Sequence, residues 1–329
     1  MIMRKVFVCQ AAKRPQIKGV IGMKKIYSSF IILVFISILG LSAHYYTFPD
    51  IRVSNTETVV IPGVEREYKF LFLTDMHMAI KSEQNLGEQL GDADNRMAAF
   101  VNAKGTYSSI QFAQWMKFAN RSRLDGLLMG GDMIDYYSDK NVDYLYNNLK
   151  TLKIPYLYVL GNHDLYSPWN EKISRSARIY RMFQKRNPSF QSLEFPKFMI
   201  CAVDNQSYQV TEEALKGMKQ AVKKAVEKKK AIILLAHVPF YTEHIKSLKD
   251  ASINTWGKPL IIGEGARDTT EVTREFMKLA FAKDSPVTAV FTGDNHFYYK
   301  GKLTDRISEC VIDPSFAGNG TIIKIKAKE

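Results

Sequence analysis

Five short apolar runs in this 329-residue chain each end on a cluster of Asp, Asn or His side chains, and this repeat restricts the fold more than any other feature. Tyr68–Leu73 leads into Asp75-Met76-His77, and 124–129 leads into Gly130-Gly131-Asp132. Residues 156–160 lead into Gly161-Asn162-His163-Asp164, 231–236 into His237, and Val287–Thr292 into Gly293-Asp294-Asn295-His296. Helical spacing fills the gaps, at 109–122, 144–152, 211–229 and 270–281. Apolar runs this short, without alternation, read as strands buried on both faces. Strands alternating with helices predict an α/β fold with a covered, mainly parallel sheet. Ligands of such folds sit beyond the carboxyl ends of the strands, so the polar clusters should converge along one sheet edge. A sixth run, Phe198–Val203, ends at Asp204-Asn205, and Asp204 reads as a turn residue.

The clustered donors are carboxylate, carboxamide and imidazole groups, with no thiolate among them. That mix suits Mn, Fe, Zn or Mg, rather than a soft metal held by sulfur. Two ions about 3.5–4 Å apart can clamp the attacking and leaving oxygens of an in-line displacement. Such a pair needs a bridging carboxylate, and Asp132 is the candidate. The glycines beside these residues let the backbone turn sharply after a strand.

In residue type and order, these blocks resemble the calcineurin-like metallophosphoesterase family. Its pattern runs Asp-x-His, Gly-Asp-x-x-Asp, Gly-Asn-His-Asp/Glu, His, then Gly-His-x-His, and the likeness covers roughly residues 66–300. The resemblance implies a four-layer α/β/β/α sandwich and a metal-dependent hydrolase of phosphate esters. By the same likeness Asp75, His77 and His296 bind the first metal, Asp132 bridges, and Asn162 and His237 bind the second. His163 would protonate the leaving group, with Asp164 orienting its imidazole, and a metal-bridging hydroxide would attack phosphorus. One place departs: Asp294 stands where the family usually has histidine. As a ligand it makes the second site harder and more anionic, favouring Mn, Mg or Fe over Zn. The alternative reading is a degenerate member that binds a phosphorylated ligand without turnover.

Several features outside the motifs stay open on sequence alone. Asp135 is either an acceptor behind the site or a helix N-cap. Tyr136, Tyr241 and Phe297 flank the motifs and either wall a pocket or pack the core. His244 has no partner block and reads as a surface residue. The polar stretch 81–105 reads as a long loop or cap, and 241–268 as a second irregular stretch. Both would shape access for a phosphorylated substrate whose class the motifs do not specify.

Net charge matters mainly for where it lies. The chain has 46 Lys+Arg and 33 Asp+Glu, for a net +13, but residues 1–50 hold seven of the bases and one of the acids, which leaves +7 for the rest. The basic run 219–230 reads as a solvated helix face, and it lacks the aromatic residues a nucleic-acid surface would need, so no nucleic-acid partner is expected. Residues 1–26 form a basic tail, and 27–48 are uncharged and long enough for one spanning helix. Bases before the span put the tail in the cytoplasm and the domain at 49–329 outside. Cleavage after Ala43, giving a secreted form, is the competing reading. The three cysteines Cys9, Cys201 and Cys310 fit no zinc spacing; the last two either pair or remain isolated buried thiols.

Overall fold

Complete burial on both faces is what makes the apolar runs strands. In β2 (Tyr68–Leu73), Phe70 and Phe72 point one way and Leu71 and Leu73 the other, and all four are fully buried. The side-chain period of two sends them into different cores. This computed structural model describes residues 48–81, 88–166 and 178–327. The basic tail and, but for Phe48, the span expected at 27–48 lie outside the described residues. Among the described residues no helix is long and apolar enough to cross a membrane.

Among the described residues eleven strands form two sheets, so the fold is mixed α/β. The first, ordered β1-β11-β2-β3-β4, joins β1 (Arg52–Val60), β11 (Asn319–Lys326), β2, β3 (Gly126–Met129) and β4 (Tyr156–Tyr158). The second, ordered β5-β6-β7-β8-β10-β9, joins β5 (Phe190–Glu194), β6 (Phe198–Val203), β7 (Ala231–Leu235), β8 (Val287–Thr292), β10 (Ser308–Val311) and β9 (Tyr299–Lys302). Most pairs are parallel, as expected. The exceptions are β11 against β2 and the edge strands β5 and β9, which pair antiparallel.

Phe70, Phe72, Leu128 and Leu157 meet Phe198, Ile200, Ile233 and Phe291 between the sheets. On the outer face of the first sheet, Leu71, Leu73 and Met129 pack against α2 (Ser108–Arg121) through Phe112 and Trp115, and against α3 (Asp139–Leu149) through Val142 and Leu145. On the outer face of the second, Met199, Leu234 and Val290 pack against α4 (Glu212–Glu227) through Leu215 and Met218, and against α6 (Glu271–Ala280) through Phe276. The order of layers is therefore helices, sheet, sheet, helices. Cys201 belongs to the outer core and Cys310 to the inner one, and both are free, buried thiols.

Two stretches read as irregular contain helices. Residues 81–105 hold α1 (Glu88–Ala99), and 241–268 hold α5 (Lys246–Trp256), closed by Gly257 in the left-handed region at φ 70°. Their polar composition hid them. The basic run on α4 faces solvent, with Lys219 paired to Glu275 and Lys224 to Glu194.

Candidate metal centre

The two sheets bring the polar clusters together at the carboxyl ends of β2, β3, β4, β7 and β8. Backbone bonds tie the loops to one another. Asp75 N–H donates to the Gly131 carbonyl and His77 N–H to the Asp132 carbonyl, each at 2.9 Å. His163 N–H donates to Asp132 Oδ1 at 2.8 Å. From the other sheet, Asp294 N–H reaches Asp75 Oδ2 at 3.1 Å.

This convergence strains the backbone. Asp75, His77, Asp132, Asp294 and His296 all have φ between 45° and 66°, a left-handed conformation unusual for residues other than glycine. They are five of the nine such residues described. Strain of this kind, on the order of 1–3 kcal/mol each, gathers where a site demands it. The glycines contribute room more than turns. A Cβ on Gly161 would lie 2.0 Å from Asp132 Oδ1, and one on Gly131 2.5 Å from His237 Nδ1.

The side chains form overlapping donor sets, each with its ligand atoms within 4.8 Å of one another: Asp75, His77 and His296; His77, Asp132 and His163; Asp75, Asp132 and His237. His77 Nε2 lies 3.1 Å from His296 Nε2 and 3.6 Å from Asp132 Oδ2. His237 Nε2 lies 3.5 Å from Asp132 Oδ2 and 3.4 Å from Asp294 Oδ1. Two of these imidazoles, His77 and His237, are held from behind. His77 Nδ1 donates to Asp135 Oδ1 at 3.1 Å, and His237 Nδ1 to the Gly130 carbonyl at 2.8 Å. Both Nε2 atoms are thus free to bind a cation. His237 Nε2 and Asn162 Oδ1 are buried without a hydrogen-bond partner, as expected of ligand atoms. The residues present therefore fit a pair of divalent ions.

Charge in the centre is shared between acids and imidazoles. Burial alone would raise the Asp132 carboxyl, but His237, His77 and His163 outweigh it and hold it below the ordinary range. Burial opposes the His237 imidazolium, yet Asp132 and Asp294 lift it well above the ordinary value. His296 rises in the same way beside Asp75. His163 is pushed up to about 9, because Asp135 and Asp132 overcome its desolvation.

Asp164 does not orient His163. Its carboxylate accepts from the Ile134 and Gly161 N–H groups at 3.0 and 2.8 Å, and so pins the β4 loop. Burial raises it to about 7. The group that holds His163 is Asp135: its carbonyl accepts from Nδ1 at 2.7 Å, and its carboxylate lies 3.5 Å from the same nitrogen. Asp135 is thus the acceptor behind the site, while Ser138 caps α3. Its carboxylate also takes two hydrogen bonds from the Arg96 guanidinium of α1. Tyr136 and Tyr241 are buried in the core, and Phe297 packs partly against it. His244 is exposed, near Asp305.

Sequence reasoning missed Arg96, Phe100, Asn205, Tyr208 and Trp256. Phe100 stacks on His77 with ring centroids 4.3 Å apart. Asn205 Oδ1 accepts from the N–H groups of His237 and Val238, each at 3.0 Å, which fixes that loop. Trp256 donates from Nε1 to the Asn295 carbonyl at 2.9 Å and meets His296 edge-on at 5.2 Å. Only position after a strand could have flagged Asn205, and the others sit in the stretches read as irregular or in a turn.

The family described as calcineurin-like phosphoesterase matches residues 68–300. Among solved structures, a dimetal phosphatase from Danio rerio is 13% identical, with a TM-score of 0.49 over 76% of this chain and 88% of that one. A purple acid phosphatase from yellow lupin is 14% identical, with a TM-score of 0.46 over 78% and 45%. A 5′-nucleotidase from Candida albicans is 12% identical, with a TM-score of 0.40 over 82% and 47%. The chain thus spans less than half the length of the last two. No curated protein matches it.

Proposed function

The chain belongs to the calcineurin-like phosphoesterases, and we propose that it hydrolyses phosphate esters with two divalent metal ions. The observation that carries this reading is the shared carboxylate. Asp132 Oδ2 faces His77 Nε2 on one side and His237 Nε2 on the other, at 3.6 and 3.5 Å. Asp75, His77 and His296 would hold one ion, Asn162, His237 and Asp294 the other, and Asp132 would serve both. When bound, the ions supply positive charge for the phosphoryl oxygens and lower the pKa of the attacking water. With three carboxylates in the set, Mn, Fe or Mg are favoured over Zn.

His163 is the general acid. Its Nδ1–H is engaged by the Asp135 carbonyl at 2.7 Å, so Nε2 carries the proton to be given to the leaving oxygen. The Asp135 carboxylate, 3.5 Å from Nδ1, favours the protonated ring that an acid catalyst needs. Asp135 keeps the ring in place through transfer, and Asp164 keeps the loop that carries it. Phe100, stacked on His77, shields one face of the centre from water.

We further propose that the domain works outside the cytoplasmic membrane, anchored by residues 27–48. This rests on the uncharged run and the bases that precede it. Protease treatment of intact cells that leaves the domain untouched would refute it.

For the catalytic reading, the full-length chain is stripped with chelator and reloaded with single ions. It is then assayed on a phosphomonoester and a phosphodiester of 4-nitrophenol. Activity should return with metal and vanish in Asp132→Asn and His163→Ala. Activity that survives either substitution refutes the mechanism. Asp294, in the place of a histidine, favours a second reading of ligand binding without turnover. Two ions bound with no hydrolysis of either ester would decide for it.

A further inference from the structure

We propose that Tyr208 is a positioning residue for the second metal ion: its hydroxyl and the Asp294 carboxylate act together as one ligand in place of an imidazole. The inference rests on Asp294 being a ligand. Tyr208 donates to Asp294, with its oxygen 2.9 Å from Oδ2 and 3.1 Å from Oδ1. A phenol has one proton, so a cation on Oδ1 leaves the bond to Oδ2 intact. Oδ1 is the oxygen that faces His237 Nε2, at 3.4 Å.

The reason for such a pairing is charge. A carboxylate in place of a neutral imidazole adds a negative charge beside Asp75 and Asp132, both buried. A hydrogen bond to a carboxylate stabilises it, and it does so more strongly where water is excluded. The phenol therefore withdraws part of the added charge and fixes which oxygen meets the ion.

The local structure is built for this purpose. Tyr208 has φ 63°, a strained conformation for an aromatic residue, and its N–H is held by the Asn205 carbonyl at 2.9 Å. The Arg267 guanidinium lies 5.2 Å from the centre of its ring and donates to the Ser207 carbonyl at 2.8 Å. The same loop carries Asn205, which fixes the backbone of His237. One turn after β6 thus positions both His237 and Asp294.

The test is a double-mutant cycle on the full-length chain, read by calorimetric titration with Mn and with Zn and by metal content after gel filtration. Asp294→Asn should lose the second ion and keep the first. If it binds two ions with unchanged affinity, Asp294 is not a ligand, and this proposal fails with that assignment. Given that loss, Tyr208→Phe should weaken the second ion by about 10–100-fold, the usual effect of removing such a support, and leave the first unchanged. In an Asp294→His background the same change should have less than about a twofold effect. A Tyr208→Phe chain with unaltered affinity overturns the proposal, as does equal weakening in both backgrounds, which would assign the effect to loop structure alone. Wild-type protein gives an independent reading if Tyr208→Phe fails to fold. Filling the second site should perturb tyrosine absorbance in the near ultraviolet, and no change there refutes the pairing.

Discussion

Glu309 should make the protein lose stability as the pH rises through the neutral range. It lies on β10, fully buried, in a core otherwise built of Phe240, Ile262 and Phe276. Oε1 accepts from the Phe240 N–H at 2.9 Å, while Oε2 has no well-formed partner. Burial pushes its carboxyl from an ordinary 4.5 up to about 8, against the smaller opposing pull of the Phe240 N–H and Thr292. The folded state thus keeps a proton that the unfolded chain gives up at about 4.5. The neutral acid's contribution is complete below that pH and lost as pH rises towards 8. At about 1.4 kcal/mol per pH unit, the loss across the window is on the order of 4–5 kcal/mol. Glu309→Gln retains the Phe240 acceptor and supplies a neutral donor on the Thr292 side, so its stability should lack this slope. Denaturant midpoints of both chains, measured with chelator at intervals from pH 5 to 8, give the comparison. The variant should gain on the wild type as pH rises and be the more stable at pH 8. Parallel curves would refute the reasoning. The Phe240 bond lies three residues beyond His237, so the wild-type loss should also loosen that ligand.

Asp135→Asn should lower kcat/KM by about 10–100-fold, because it weakens the support behind His77 and His163. With the carboxylate gone, His163 should titrate nearer its ordinary value of about 6.5. The alkaline limb of the kcat/KM profile should then move to lower pH, and an unmoved limb would argue against His163 as the acid. Gly161→Ala should abolish metal binding at Asp132, since its Cβ would lie 2.0 Å from Oδ1 and 2.2 Å from the amide nitrogen. Overpacking of this kind also destabilises by about 1–3 kcal/mol, visible in thermal unfolding; retained metal content would contradict the geometry. Metal uptake should release protons, because His237 and His296 are raised in the metal-free centre and must give theirs up. Affinity should therefore fall as pH falls. Calorimetry in buffers of different ionisation enthalpy measures the release, and heats that do not depend on the buffer would count against this ligand set.

Short-range pattern was enough for part of this protein. The five doubly buried strands and the four helices with strong apolar stripes were legible because burial writes a period into the chain. The donors were legible because Asp75, Asp132 and His296 each follow such a strand, where α/β folds place ligands. What the chain order did not contain was contact between distant segments. Helices α1 and α5 are polar, and their roles lie in single residues, Arg96 and Trp256, that reach the centre from outside. The edge strand β1 is largely exposed, and its buried neighbour β11 ends on no donor cluster. Above all, the acceptor behind His163 was decided in three dimensions. Asp164 is its neighbour in the chain, but a short helical turn aims that carboxylate at backbone N–H groups, and Asp135 arrives from the β3 loop instead. Tyr208 reaches Asp294 across 86 positions. Local sequence determined which residues end up at the edge of the sheets, while only tertiary packing decided which of them hold one another there.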